Sequence, residues 1–198
     1  QSDSPAPSPG SASAEVLASI VIVGRPNVGK STLFNRITRS RRSIVGDEPG
    51  ITRDRIYGQA EHFGKRFELV DTGGMLPGED AEIPSRIVAQ ARVAIDGATC
   101  IVMVVDGRSE LTAADLELAR LLRKTGKRVA LAVNKIDSPT LEFRTAEFSR
   151  LGFQNIFPVS AEHNQGLAEL LDFVTEGITA EETAATPQED EIAVAIIG

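Results

Sequence analysis

No run of about 18 consecutive apolar residues occurs in this chain, which excludes a membrane-spanning helix. The first 19 residues lack both a basic start and an apolar core, so no secretory signal is read there. The single cysteine, Cys100, rules out an internal disulfide and fits a reducing compartment, and a cytoplasmic location is expected. It sits inside an apolar run and reads as a small buried hydrophobe. The only histidines, His62 and His163, have no metal-ligand spacing with each other or with Cys100. Basic residues are missing from both ends. Residues 1–19 carry Asp3 and Glu15, and residues 179–198 carry Glu181, Glu182, Glu189, Asp190 and Glu191, with no Lys or Arg in either stretch. The chain totals 28 acids and 21 bases, so residues 20–178 hold 21 of each. The net charge of −7 therefore belongs to the ends, and the balanced middle argues neither for nor against nucleic acid.

The 198 residues suffice for one well-cored domain and some tail. Residues 1–14 are rich in Ser, Pro and Ala, and a disordered tail is expected over 1–18. Strands are predicted near 19–23, 55–62, 65–71, 99–105, 128–133 and 155–158, and helices near 30–38, 83–96, 112–124, 140–150 and 166–177. The alternation predicts an α/β fold with a six-stranded, mostly parallel sheet, strand 2 antiparallel, and helices on both faces. The helix from Thr112 has a capping-box-like start with Asp115, an apolar stripe of Leu116, Ala119, Leu121 and Leu122, and a stop at Gly126. Residues 39–54 form a long polar loop with no periodic pattern.

The most informative segment is Gly24-Arg25-Pro26-Asn27-Val28-Gly29-Lys30-Ser31. It fits the phosphate-loop pattern G-x-x-x-x-G-K-[ST] without a mismatch. It also lies between an apolar strand and a helical pattern, where such a loop must lie. Gly24 and Gly29 let the backbone wrap a phosphate with its N–H groups inward. Lys30 adds a point charge at the outer phosphates, and Ser31 offers a hydroxyl to Mg²⁺. Nucleotide contact is expected along the loop as far as Thr32.

Asn134-Lys135-Ile136-Asp137 follows the fifth strand and has the N-K-x-D form of guanine recognition. The Asp137 carboxylate can accept from N1–H and from the 2-amino group of guanine, and adenine offers neither donor there. Lys135 can lay its stem along the base. Asn134 is expected to tie loops together. Ser160 and Ala161 would complete the pocket, with a backbone N–H, that of Ala161, reaching O6. Asp71-Thr72-Gly73-Gly74 matches D-x-x-G: Asp71 would hold Mg²⁺ and the Gly74 N–H would sense the γ-phosphate. Thr52, in Pro49-Gly50-Ile51-Thr52-Arg53-Asp54, is the natural second hydroxyl ligand, reaching the metal only when that phosphate is present.

These four motifs, in this order at strand ends, resemble the translation-factor-like GTPases. The wording from Gly24 to Asn35, from Pro49 to Asp54 and from Asp71 to Gly74 is similar to the Era/TrmE-type branch. The acidic stretch 179–191 and the echo of Ser19–Gly24 in Ala193–Gly198 resemble the EngA (Der) family, which carries two tandem G domains. The resemblance covers about residues 19–198. It implies a P-loop NTPase of Ras-like G-domain fold over 19–178, a linker over 179–191, and the first strand of a second G domain over 192–198. It further implies Mg²⁺-dependent hydrolysis of GTP to GDP and phosphate, in a switch acting on the large ribosomal subunit or its precursor. The rest of the second G domain and a KH-like domain, which such proteins carry, are absent from this chain. Met75 stands where Ras-type switches have a water-orienting Gln, and a thioether cannot do that job. Glu79 and Asp80 are candidates for it. The resemblance gives Asn27 a role in holding K⁺, so Lys30, Thr52, Gly74 and Asn27 are the expected catalytic set. Arg36, Arg39, Arg41 and Arg42 lead into the loop after the first helix and read either as a solvated face or as contacts to RNA phosphates or to the second G domain. Two alternatives stay open: a nucleotide-gated binding module with negligible turnover, and a TrmE-like tRNA-modification GTPase, which the terminal echo disfavours.

Overall fold

The computed structural model describes residues 17–39, 56–72, 92–138 and 143–179. In chain order the elements are β1 (Ala18–Val23), α1 (Lys30–Arg39), β2 (Ile56–His62), β3 (Lys65–Asp71), β4 (Cys100–Asp106), α2 (Ala113–Lys124), β5 (Val129–Asn134), a 3₁₀ helix (Phe143–Leu151), β6 (Ile156–Pro158) and α3 (Leu167–Val174). The six strands form one sheet in the order β2-β3-β1-β4-β5-β6. Only β2 runs antiparallel to its neighbour, because a tight Phe63-Gly64 turn returns the chain directly into β3. The other pairings are parallel.

The central strands read as continuous apolar runs because both of their faces are covered. Ile20 and Ile22 point to one face, where they meet Leu33, Phe34 and Ile37 of α1 and Leu167, Leu170 and Val174 of α3. Val21 and Val23 point to the other, against Leu118, Ala119 and Leu122 of α2 and Phe148 and Leu151 of the 3₁₀ helix. Cys100 is buried in the first of these cores, where desolvation pushes its thiol up to about 11.

The fold class, the six strands and the antiparallel β2 agree with the expectation from sequence. Two details differ. The buried stripe of α2 is Asp115, Leu118, Ala119 and Leu122, and Leu116 is only partly buried. The i, i+3, i+4, i+7 spacing from Asp115 selects that face once the capping box fixes where the helix starts. Thr112 accepts from the Asp115 N–H at 3.2 Å while its own N–H donates to the Asp115 carboxylate at 3.0 Å. The helix expected near 140–150 is 3₁₀ over Phe143–Leu151, where three residues per turn bring Phe148 and Leu151 onto one face. The predicted helix near 83–96 is seen only as helical residues 92–97. Ala18, expected in the tail, opens β1; the tail before residue 17, the 39–54 loop beyond Arg39, the linker after Thr179 and the terminal strand lie outside the described residues.

The chain leaves β1 to one side for β3 and returns to the other side for β4. This makes the carboxyl ends of β1 and β4 the crevice where open α/β sheets bind ligands. Val23, Asp71, Asp106 and Asn134 end their strands along that edge.

Candidate nucleotide site

The segment joining β1 to α1 is shaped by close approaches. Gly24 has φ +154°, and a Cβ there would lie 2.4 Å from the Val104 carbonyl oxygen. Gly29 has φ +97°, and its Cβ would lie 2.3 Å from the Asn134 amide nitrogen. Asn27 adopts φ +65°, a region that Asn tolerates better than most residues. No acid occupies the first turn of α1, so the positive end of that ten-residue helix carries no side-chain counter-charge from its own first turn.

Lys30 opens the helix buried, and its ammonium donates to the Arg25 carbonyl at 2.8 Å. Desolvation lowers its pKa, partly opposed by the Asp71 carboxylate. Ser31 Oγ donates to Asp71 Oδ2 at 2.8 Å, and Asp71 is fully buried at the end of β3. The two residues expected to hold Mg²⁺ are therefore adjacent. One hydroxyl and one carboxylate at a helix N-terminus fit a hard cation that takes its other oxygens from phosphate and water.

Two expected nucleotide contacts face elsewhere. Thr72 directs both its N–H and its hydroxyl to the Ile22 carbonyl, at 3.3 and 2.8 Å, so its side chain ties β3 to β1. Arg25 turns away toward the cap of α2, with Nε 3.3 Å from Asp115 Oδ2, an ion-pair distance without hydrogen-bond alignment. Pro26 is exposed, and Val28 is buried in the core under α1.

Asn134 is the junction of the site. Its Nδ2 donates to the Val28 carbonyl at 2.9 Å, and its Oδ1 accepts from the Ala161 N–H at 3.1 Å. The expected tie between loops is thus present. The expected use of the Ala161 N–H is not, since that N–H is engaged by Asn134 and not turned to a base. Lys135, at φ +68°, donates to the Asn27 carbonyl at 2.9 Å and to Asp106 Oδ2 at 2.6 Å. Burial works against the Asp106 charge, but the Lys135 bond and the Arg108 N–H at 2.9 Å hold its pKa below the usual carboxylate value. Asp137 is exposed and pairs with the Arg108 guanidinium, which likewise keeps its carboxyl low. Ser160 is buried, closing a turn through paired backbone bonds with Gln165 at 2.9 and 3.1 Å. A cavity of about 140 Å³ opens among Gly29, Thr32, Arg108, Asn134, Lys135 and Ser160.

Asp106, Arg108 and the Arg25–Asp115 contact escaped the reading of the sequence. The signal for Asp106 was its register opposite Asn134 at the ends of two adjacent buried strands. Thr52, Gly73, Gly74, Met75, Glu79, Asp80, Arg41 and Arg42 lie outside the described residues. Among the described residues, no helix is long and apolar enough to cross a membrane.

A phosphate loop after β1, an Asp at the end of β3 and an N-K-x-D segment after β5, on this sheet, define a P-loop GTPase G domain. Residues 19–135 match the family described as 50S ribosome-binding GTPase, and the chain belongs to that family. It is 47% identical over 179 residues to GTPase Der of Brevibacillus brevis, covering 90% of this chain and 41% of that protein. It is 45% identical over 185 residues to GTPase Der of Myxococcus xanthus, covering 90% and 40%. The chain thus spans about two fifths of the length of the curated relatives it matches. Among solved structures it resembles Era in complex with MgGDPNP and nucleotides 1506–1542 of 16S ribosomal RNA. That match has a TM-score of 0.64 and 25% identity, and covers 82% of this chain and 57% of that one. It also resembles the G domain of the T. maritima FeoB iron transporter, with a TM-score of 0.59 and 27% identity over 80% and 97% of the two chains.

Proposed function

We propose that this chain binds guanine nucleotide at the cleft between α1 and the loops after β5 and β6, and hydrolyses GTP to GDP and phosphate. The observation that carries this reading is the position of Asn134, which joins the phosphate loop at Val28 to the base-side turn at Ala161. In this reading the loop N–H groups and Lys30 hold the phosphates, and Asp137 reads the two donors of guanine. Mg²⁺, when bound, would neutralise charge on the β- and γ-phosphates, and Ser31 and Asp71 would hold it, with Thr52 as the γ-phosphate-dependent ligand. The Gly74 N–H would sense that phosphate. Asn27 is exposed on the loop with its carbonyl fixed by Lys135, leaving its side-chain oxygen to help hold K⁺. Catalysis is then mainly positioning and electrostatic.

The whole-protein role we infer is a cytoplasmic switch acting on the large ribosomal subunit or its precursor. The family description supports the large-subunit role, and the Era neighbour, bound to 16S ribosomal RNA, supports contact with ribosomal RNA in general. In such proteins a second G domain and a KH-like domain would supply further contacts. A second reading, a nucleotide-gated module with negligible turnover alone, is favoured by one observation: Met75 follows the D-x-x-G segment and cannot orient water.

Phosphate release from GTP with Mg²⁺, in K⁺ against Na⁺ at equal ionic strength, tests both. Repeated turnover, faster in K⁺ and equalised by Asn27→Ala with GDP binding retained, supports the hydrolase and the role of Asn27. Bound GTP without turnover in either salt supports the gated module.

A further inference from the structure

The turn after β6 is gripped through both polar groups of one peptide residue. The Ala161 N–H goes to Asn134 Oδ1 at 3.1 Å, and the Ala161 carbonyl accepts from Arg36 Nε at 3.0 Å. Arg36 reaches further, its Nη2 donating to the Glu162 carbonyl at 2.5 Å. The planar guanidinium thus spans two consecutive carbonyls, a fork geometry that a lysine cannot reproduce. The donor lies 125 residues away in sequence from the first of these acceptors.

Arg36 is placed for this by the helix that begins at the phosphate loop. It lies four residues after Thr32, so the two share a face of α1. Thr32 lines the same cavity as Ser160 and Glu162. The clamped turn is therefore a wall of the cavity, and it is fixed from β5 on one side and from α1 on the other. Without Arg36 the turn keeps Asn134 and its Gln165 bonds but loses the restraint on its outer peptides.

We infer that Arg36 is a positioning residue for base selection: by holding the carbonyls of Ala161 and Glu162 it orients the turn that meets position 6 of the purine, without touching the base. This rests on the guanine-site reading above. It separates the base into two halves, with Asp137 reading N1–H and the 2-amino group, and the Arg36-held turn placed at the 6-oxygen, to which the Ala161 N–H passes from Asn134 Oδ1 when nucleotide binds.

The test compares dissociation constants of the full chain and its Arg36→Met and Arg36→Lys variants for four probes. These are GDP, IDP (which lacks the 2-amino group), 2-aminopurine riboside diphosphate (which lacks the 6-oxygen and N1–H) and ADP. Loss of a contact of this size is worth about tenfold. Arg36→Met is expected to weaken GDP and IDP by about that factor and to leave 2-aminopurine riboside diphosphate unchanged. The GDP:IDP ratio stays fixed while the GDP:2-aminopurine ratio falls. Arg36→Lys, reaching one carbonyl at most, falls between. Equal weakening of all probes, or a lower melting temperature with all ratios kept, would overturn the inference, since either marks a merely structural arginine. A wild-type chain that binds ADP as well as GDP would instead overturn the guanine-site reading, and this inference with it.

Discussion

The side-chain amide nitrogen of Asn134 stands 2.3 Å from where a Cβ on Gly29 would be. The same nitrogen holds the Val28 carbonyl, so the phosphate loop and the opening residue of the base motif are packed as one piece. Gly29→Ala meets both this contact and a φ of +97° that side chains rarely adopt. We expect it to weaken GDP binding by about a hundredfold or more and to lower stability by roughly 2 kcal/mol. Asn134→Ala leaves the buried Ala161 N–H and Val28 carbonyl without that partner, at about 2–4 kcal/mol in urea unfolding. In the Asn134→Ala background Gly29→Ala should cost less, with a coupling on the order of 1 kcal/mol. Simple additivity would mean that the two residues do not share this contact.

Ser31 and Asp71 form the second joint, at 2.8 Å. If they hold Mg²⁺, chelation with EDTA should speed GDP release from the wild-type chain by about tenfold. Ser31→Ala and Asp71→Asn should release GDP at that faster rate with Mg²⁺ present, and EDTA should add little. Variants that remain as EDTA-sensitive as wild type would remove both residues from the metal site.

How much of this was legible in the sequence follows from what each residue must do. Gly24, Gly29, Lys30 and Ser31 were legible because wrapping a phosphate requires those residue types at fixed spacing. The strands were legible because burial on both faces leaves unbroken apolar runs such as Ile101–Val105. Asn134 was legible as a tie between loops, but its partners were not, since both are backbone groups far along the chain. Arg36 was read as one of a row of arginines, because a bond to a carbonyl leaves no mark on the acceptor's identity. Leu118 takes the place of Leu116 in the buried stripe of α2 because the cap at Asp115 sets the helix phase, which the leucine spacing alone leaves open. Thr72 and Arg25 carry the motif's letters, yet their side chains serve β1 and α2.

The Phe63-Gly64 turn carries a cost unrelated to nucleotide. Phe63 has φ +48° and is 72% exposed, and its ring meets little beyond the edge of His62 at 4.5 Å between centroids. Two-residue hairpin turns with two positive φ values favour Asn-Gly, since Asn accepts the left-handed region far better than an aromatic. Phe63→Asn is therefore expected to stabilise the chain by about 0.5–1 kcal/mol, a rise of roughly 1–4 °C in melting temperature. GDP affinity should not move, because the turn lies at the amino end of β3 and the site lies at its carboxyl end. An unchanged or lower melting temperature would show that the His62 contact outweighs the backbone preference.

Lys30 gives the nucleotide site a pH dependence whose sign is fixed by its burial. Desolvation lowers its pKa from 10.5 in the nucleotide-free loop, ahead of the opposing pull of Asp71. Bound phosphates favour the ammonium form, so binding must raise that pKa again. Affinity is then fully present below the lowered pKa and declines as pH rises through it, and in that window binding takes up as much as one proton. Calorimetry of GDP binding at pH values stepped from neutral up toward 10.5, in two buffers of different ionisation enthalpy, reads the uptake directly. GDP titrates at its own N1–H, and that contribution is shared by Lys30→Arg, whose guanidinium stays charged throughout. The difference between the two proteins therefore isolates Lys30. Equal proton uptake by both would mean that the ammonium is already fully charged at these pH values, and that the partly buried Arg25 carbonyl contact compensates its desolvation before any phosphate arrives.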